Sequence, residues 1–304
     1  MSPRLLEWFN ASEGVQAHAL PYMRILFTCG GPFFVLFLLT GALQASGNPK
    51  IPLALGVLTT VLNIVLSFVF IVLLGLGAVG AALGTCLAPC VSVAVALKLI
   101  YSGKTIILPP RRITLIPDLS VLKSVVRIGT PTGLQAVVIN IGGAVLLGVI
   151  GRVEHSAAAQ AAYTICYAQL FAFIMWPSFG LRVAASTVMG QNLGAGKLKR
   201  GRRGVYVAAG MGLAAACVTG VVYWTLPRAL LGLFDATGEA IQDYGASLLR
   251  FLSFSGIAFV LSMTFTGALQ GAGDTKNPMY IAFVTQIVIP VSYTHLTLPT
   301  KRIV

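Results

Sequence analysis

Apolar residues in this chain come in long blocks rather than in alternation with polar ones. Predominantly apolar stretches run over 20–44, 51–74, 78–100, 125–150, 157–186, 204–226 and 244–269, and an eighth starts at Pro278 and stops near Val291. Each full block reaches the roughly 20 residues that a helix needs to cross a bilayer. They are apolar nearly all round, unlike amphipathic surface helices, and too long for buried strands. The pattern predicts an all-α polytopic membrane protein with about seven complete spans and part of an eighth.

The polar gaps carry an orientation. Lys104, Arg111, Arg112 and Lys123 fall in 101–124, Lys197, Lys199, Arg200, Arg202 and Arg203 in 187–203, and Lys50 and Lys276 in the short gaps 45–50 and 271–277. With alternating spans, all lie on one side. Glu7, Glu13, Glu154, Asp235, Glu239 and Asp243 concentrate on the other, in 1–19, 151–156 and 227–243. The positive-inside rule places the basic set in the cytoplasm, with the chain in the cell membrane (the inner one, for a bacterium).

Composition agrees with a lipid solvent. Of 304 residues, 57% are hydrophobic and 10% charged, against about 25% charged in soluble domains, and the mean hydropathy is +0.88. The net charge of +13 does not indicate nucleic acid, because the basic residues sit at span ends, where they set topology and meet anionic headgroups. The opening MSPRLLEWFN lacks the pattern of a cleavable signal. Cys29, Cys86, Cys90, Cys166 and Cys217 all fall in apolar blocks while His18, His155 and His295 do not, so the thiols read as packing residues and not as transition-metal ligands. No HExxH or GxSxG motif marks an enzyme.

One phrase occurs twice. TGALQASGNPKIP at 40–52 returns as TGALQGAGDTKNP at 266–278, an offset of 226. At the same offset Arg24 matches Arg250 and Gly30 matches Gly256; slightly out of step, WFNAS at 8–12 matches LFDAT at 233–237, and Pro3-Arg4 matches Pro227-Arg228. An even number of spans separates the copies, so both have the same orientation, as in transporters built from two half-molecules. Three spans precede the second copy and none precedes the first. Equivalent halves therefore predict a piece of a twelve-helix protein: 1–100 a partial N-terminal lobe (helices four to six), 101–124 a cytoplasmic linker, and 125–291 a partial C-terminal lobe (helices seven to ten and part of eleven). Residues 292–304 neither complete the last span nor match the repeat and read as a non-native tail.

The chain resembles the multidrug and toxic compound extrusion (MATE) transporters. The twin TGALQxxGxxKxP phrases look like the turn between the fourth and fifth helices of each half. GTPTGLQ at 129–135 looks like the start of helix seven, GQNLGAGK at 190–197 like the loop between helices eight and nine, and VGAALGT at 79–85 like helix six. The repeated phrase reads as a structural turn: Gly47 and Gly273 take backbone angles closed to other residues, Lys50 and Lys276 hold the turn in the cytoplasm, and Pro52 and Pro278 suit a first helical turn. Gln191, Gly194 and Gly196 read as turn residues of the second loop.

The resemblance implies an antiporter. Two lobes open a central cavity alternately to each side, and Na⁺ or H⁺ entry drives efflux of small amphipathic, often cationic, compounds. No cofactor is implied beyond the coupling ion, and a monomer in contact with membrane lipids is expected. The family's first-lobe cation site maps onto Asn63, Ser67 and Thr85. Ser67 stands where an acid is usual, and Asn63 reads equally as an interhelical hydrogen-bonding residue. None of the eight acidic residues lies deep in a span. Gln135, Asn140, Tyr163, Tyr167, Gln169, Met175 and Trp176 are the candidates for a drug cavity, through cation–π and adaptable contacts, against a packing role for each. Gly80 and Gly84 read as a close-packing face. Arg24, Arg182 and Arg250 are span charges without an assigned partner. The alternatives are a lipid-linked saccharide flippase of the wider superfamily, disfavoured by basic residues confined to loops, and a membrane fragment without transport.

Overall fold

Backbone N–H and C=O groups in hydrocarbon must bond within their own segment, and the apolar blocks do so as helices. The structure, a computed structural model, describes residues 13–103, 105–107, 118–151, 156–236 and 238–288. The matches at Pro3-Arg4 and 8–12, Arg111, Arg112, the end of the eighth span and the 292–304 tail lie outside the described residues. Among the described residues there is no strand. The chain divides into two compact units, Met1–Ile113 and Thr114–Val304.

The first unit holds α1 (Glu13–Thr28), α2 (Gly31–Ala45), α3 (Lys50–Phe68, prolonged by a π-helical segment Val69–Leu73) and α4 (Gly77–Tyr101). The other three all pack on α4. Small residues on α4 permit this. A Cβ on Gly80 would stand 2.8 Å from the Phe70 carbonyl carbon, and one on Gly84 2.5 Å from Ser67 Oγ. The expected close-packing face is therefore real. Thr59 Oγ1 donates to Ser92 Oγ at 2.7 Å across the same interface, and Leu43, Leu55 and Ala96 form the core at the α2–α3 turn.

The second unit holds α5 (Leu119–Ile150), α6 (Ser156–Tyr163, prolonged by π-helical Thr164–Leu170), α7 (Ala172–Gly194), α8 (Leu198–Thr225), α9 (Pro227–Gly232), α10 (Glu239–Gly271) and α11 (Lys276–Phe283, prolonged by π-helical Val284–Val288). The helices α7, α8 and α10 form a mutually packed trio. Their core gathers Cys166, Phe171, Ile174, Leu231, Leu249 and Val260, among others. The longest contact of α5 is with α11, where a Cβ on Gly142 would lie 3.0 Å from Gln286 Oε1. The outer faces stay apolar: Phe34, Phe37, Ile64, Phe173, Val218 and Phe251 are all more than 60% exposed, which in water would be an untenable surface and in lipid is the expected one.

Among the described residues six helices are long and apolar enough to cross a membrane, or seven if the bent α1–α2 pair counts as one. The span predicted over 20–44 is broken: Ala19–Thr28 and Gly31–Ala45 meet at 49°. Gly30 and Pro32 account for the break, since Pro32 brings no N–H to the ladder. The span predicted over 157–186 is two segments meeting at Phe171, and the second continues to Gly194. The predicted loop 187–203 therefore shrinks to Ala195–Lys197, and Lys199, Arg200, Arg202 and Arg203 lie in the first turns of α8. Likewise Glu239 and Asp243 are helical, at the start of α10.

Candidate functional site

The turns come first because they set which helix faces meet. In the first copy Gly47 has φ 86°, its N–H bonds Gln44 O at 2.9 Å and the Asn48 N–H bonds Leu43 O at 3.2 Å. In the second Gly273 also has φ 86°, with Gly273 N–H to Gln270 O at 3.0 Å and Asp274 N–H to Leu269 O at 2.9 Å. Both are Schellman closures, in which a left-handed glycine satisfies the last carbonyls of the helix. Gly196 (φ 71°) closes α7 in the same way, through Leu193 O and Asn192 O. Gln191 and Gly194 are the exceptions among the predicted turn residues, because both are still in the helix. Lys50 and Lys276 open α3 and α11, and Pro52 and Pro278 are buried in those first turns.

In the first unit the candidate cation residues are brought together. Asn63 Nδ2 donates to Thr85 Oγ1 at 3.3 Å across α3 and α4, and that hydroxyl donates to Ala81 O at 2.9 Å. Ser67, one turn on from Asn63, has its Oγ against Gly84. The three oxygen-bearing side chains thus line one seam, with no carboxylate among them. Asn63 makes the interhelical hydrogen bond, and the same seam offers neutral oxygens to a hard cation.

In the second unit the candidates separate. Gln135 is buried, 4% exposed, and bonded. Asn140 is exposed and donates to Ala136 O of its own helix at 2.8 Å. Tyr163 stacks on Tyr167 with ring centroids 5.2 Å apart, and Tyr167 stacks on Phe171 at 5.5 Å. Tyr167 and Met175 lean on the core. Gln169 is exposed, and Trp176 is exposed and edge-on to Phe179 at 5.9 Å.

What sequence reasoning missed is the partner of Gln135. Gln270, from the repeated phrase, gives its amide nitrogen to Gln135 Oε1 at 3.1 Å, while its Oε1 accepts from Arg182 Nε at 3.1 Å and Nη2 at 2.9 Å. The span charge Arg182 thus ends on a glutamine, and α5, α7 and α10 are tied at one level. The available signal was small-residue spacing. Gly267 and Gly271 stand one turn apart on α10, and a Cβ on either would collide with backbone of α7, at Arg182 and Ser186 respectively. Of the other unassigned arginines, Arg250 lies 5.8 Å over the Trp224 ring, a cation–π arrangement. Among the described residues no cluster of His, Cys, Asp and Glu is arranged to hold a metal.

Long apolar helices facing outward, with polar side chains paired between them, define a polytopic helical membrane protein. The MatE family model matches residues 1–69 and 131–294. The chain belongs to the MatE family, the multidrug and toxic compound extrusion family. It is 23% identical over 290 residues to a probable multidrug resistance protein NorM of Thermotoga maritima, covering 94% of this chain and 61% of that protein. It is 26% identical to a probable multidrug resistance protein YpnP of Bacillus subtilis (97% and 65%) and 28% identical to the multidrug export protein MepA of Staphylococcus aureus (90% and 59%). The chain therefore spans less than two thirds of the length of these relatives. Among solved structures, the outward-facing conformation of a multidrug resistance MATE family transporter of the MOP superfamily matches with a TM-score of 0.86 at 21% identity, covering 96% of this chain and 64% of that one. A crystal structure of MATE in the bent conformation gives 0.85 at 20%, covering 96% and 64%. At such identities these likenesses establish the fold.

Proposed function

We propose that this chain works as part of a multidrug efflux antiporter that exports small amphipathic or cationic compounds against an inward flow of Na⁺ or H⁺. The observation that carries the reading is the MatE match over both units, joined to relatives named for multidrug resistance and export. Two compact units, each with its own core, suit a mechanism in which the units move as bodies and open a pathway alternately to each side. The seam of Asn63, Ser67 and Thr85 is the proposed cation-facing element of the first unit. Without a carboxylate it holds a cation through neutral oxygens only, so the proton or ion coupling acid lies elsewhere in the working transporter. The drug-facing element is the exposed pair Gln169 and Trp176, with Asn140 on α5. The basic turns at Lys50, Lys197 and Lys276 face the cytoplasm by the positive-inside rule. The working unit is a monomer in the cell membrane.

The test is ethidium efflux from energised vesicles bearing the full-length transporter that contains this chain, with a Na⁺ gradient or a proton gradient imposed separately. Efflux under one gradient, and its reduction by Asn63→Ala, supports the reading. Absence of efflux under both gradients refutes it.

A further inference from the structure

The first turns of α8 carry a concentration of positive charge that no acidic side chain balances among the described residues. Lys199, Arg202 and Arg203 line an open recess of about 490 Å³ together with Tyr206 and Val207, and no carboxylate lines it. All three cations are exposed, and among the described residues none of them forms an ion pair. Lys199 stands three residues before Arg202 and four before Arg203, spacings at which like charges on a helix repel. The positive end of the helix macrodipole adds to that repulsion, since α8 has no acidic residue in its first turn and no side-chain cap. An anion seated among the three relieves both costs.

The recess also lies at a definite depth. From 204 to 225 α8 has no charged residue. That run rises about 33 Å, which matches a hydrocarbon core of about 30 Å. Arg203 therefore marks one edge of the core, and Trp224, at the far end of the run, suits the opposite interface. Arg203, Tyr206, Gly210 and Ala214 follow one another on one face at steps of three and four residues, each deeper in the membrane than the last. Gly210 and Ala214 are exposed, and a Cβ on Gly210 would meet nothing within 4 Å. The face on the membrane side of the cations is thus a shallow trough open to lipid. The Tyr206 ring, edge-on to Phe265 of α10 at 6.3 Å, walls its upper end.

We propose that this recess binds one anionic phospholipid of the leaflet that meets the basic turns. Its phosphate sits among Lys199, Arg202 and Arg203, and an acyl chain runs from Val207 along Gly210 and Ala214 toward the bilayer centre. Basic clusters at the cytoplasmic ends of spans attract anionic headgroups, and the trough beneath this one gives a single lipid its place. The inference goes beyond the transport reading and does not depend on it, and its test contains no transport step.

The full-length transporter that contains this chain is reconstituted in phosphatidylcholine vesicles. These are doped with phosphatidylglycerol carrying a photoreactive diazirine in the upper part of one acyl chain, or with phosphatidylcholine carrying the same chain. Labelled residues are then mapped by mass spectrometry. Labelling within 206–214 by the anionic probe is expected to saturate at one lipid per protein. It is expected to exceed labelling by the zwitterionic probe by on the order of a hundredfold, about fivefold for each of three basic residues. Each of Lys199→Gln, Arg202→Gln and Arg203→Gln should lower it roughly fivefold. The charge-preserving variant K199R/R202K/R203K retains the preference. Equal labelling by the two probes, labelling that rises without saturation, an unchanged K199Q/R202Q/R203Q variant, or loss of the preference in K199R/R202K/R203K each overturns the proposal. So does displacement of the lipid by millimolar inorganic phosphate, which identifies a free-anion site instead.

Discussion

The sharpest test of the packing uses the two copies of the repeated phrase as control and experiment. Gly41 and Gly267 occupy the same position of the phrase. Around a Cβ built on Gly41 there is nothing within 4 Å, whereas one on Gly267 meets the Arg182 carbonyl oxygen, with the Arg182 carbonyl carbon at 2.7 Å and Cα at 2.8 Å. These are backbone atoms and cannot rotate away. Carbon contacts settle near 3.5–4.0 Å, so α7 and α10 must part by roughly 1 Å at Gly267→Ala. Overpacking of this kind costs about 1–3 kcal/mol. The same displacement stretches the Arg182–Gln270 bonds, now 2.9 and 3.1 Å, toward the limit of useful geometry. At Gly41→Ala the only change is the helix preference of alanine, worth up to about 1 kcal/mol in favour of the folded state. Gly267→Ala gains the same helix preference, so the two variants should differ by the overpacking alone, about 1–3 kcal/mol. Thermal unfolding of the detergent-purified chain, followed by far-ultraviolet circular dichroism, reads this as a Tm lower in G267A than in G41A, at about 2–4 °C per kcal/mol. A G41A Tm equal to or below that of G267A refutes the close approach of α7 and α10.

Other consequences are separable. Gln270→Leu leaves Arg182 and Gln135 without their shared partner and should cost about 1–3 kcal/mol in the same unfolding assay, while Gln44→Leu, at the matching position of the first copy, should cost less than half as much. Gly47→Ala and Gly273→Ala each force an L-residue to φ 86° and should lower stability by about 1–2 kcal/mol, with Asn in the same places recovering part of it, as differential scanning calorimetry would show. Asp118 caps α5, accepting from the Ser120 hydroxyl at 2.7 Å and the Ser120 N–H at 2.8 Å. The Ser120 hydroxyl bond, then the Ser120 and Val121 N–H bonds, lower its pKa from the ordinary 3.8. The stabilisation is thus fully present above 3.8 and lost only as pH falls through the lower folded value. An isotope-edited infrared titration of this carboxylate should give a midpoint below 3.8, and a midpoint at or above it contradicts the cap.

How much of this was legible in the sequence depends on what each feature answers to. The spans were legible because lipid imposes a length and forbids unpaired backbone, and no tertiary partner is needed to read that. Their ends were not. GQNLGAGK has the composition of a loop, yet Gly190–Gly194 continues α7, because a helix leaving the membrane is free to carry polar residues until a left-handed glycine, here Gly196, closes it. The break after Thr28 was written in Gly30, Gly31 and Pro32 but hidden by unbroken apolarity on both sides. Among the site residues, Asn63, Ser67 and Thr85 converge because their positions are fixed by one short connection between α3 and α4 and by Gly84, which admits Ser67. Gln135, Gln270 and Arg182 come from three helices, Arg182 standing 88 positions from Gln270 and Gln270 standing 135 from Gln135, and no local pattern tells which faces meet. The glycines do carry that information, but only in part. The repeated phrase puts a glycine at 41 as well as at 267, and only the second has a helix backbone pressed against it. A repeat thus preserves the turn, which is closed by the phrase itself through Gly47 and Gly273, while the use of its remaining residues is decided by whichever helix packs beside each copy.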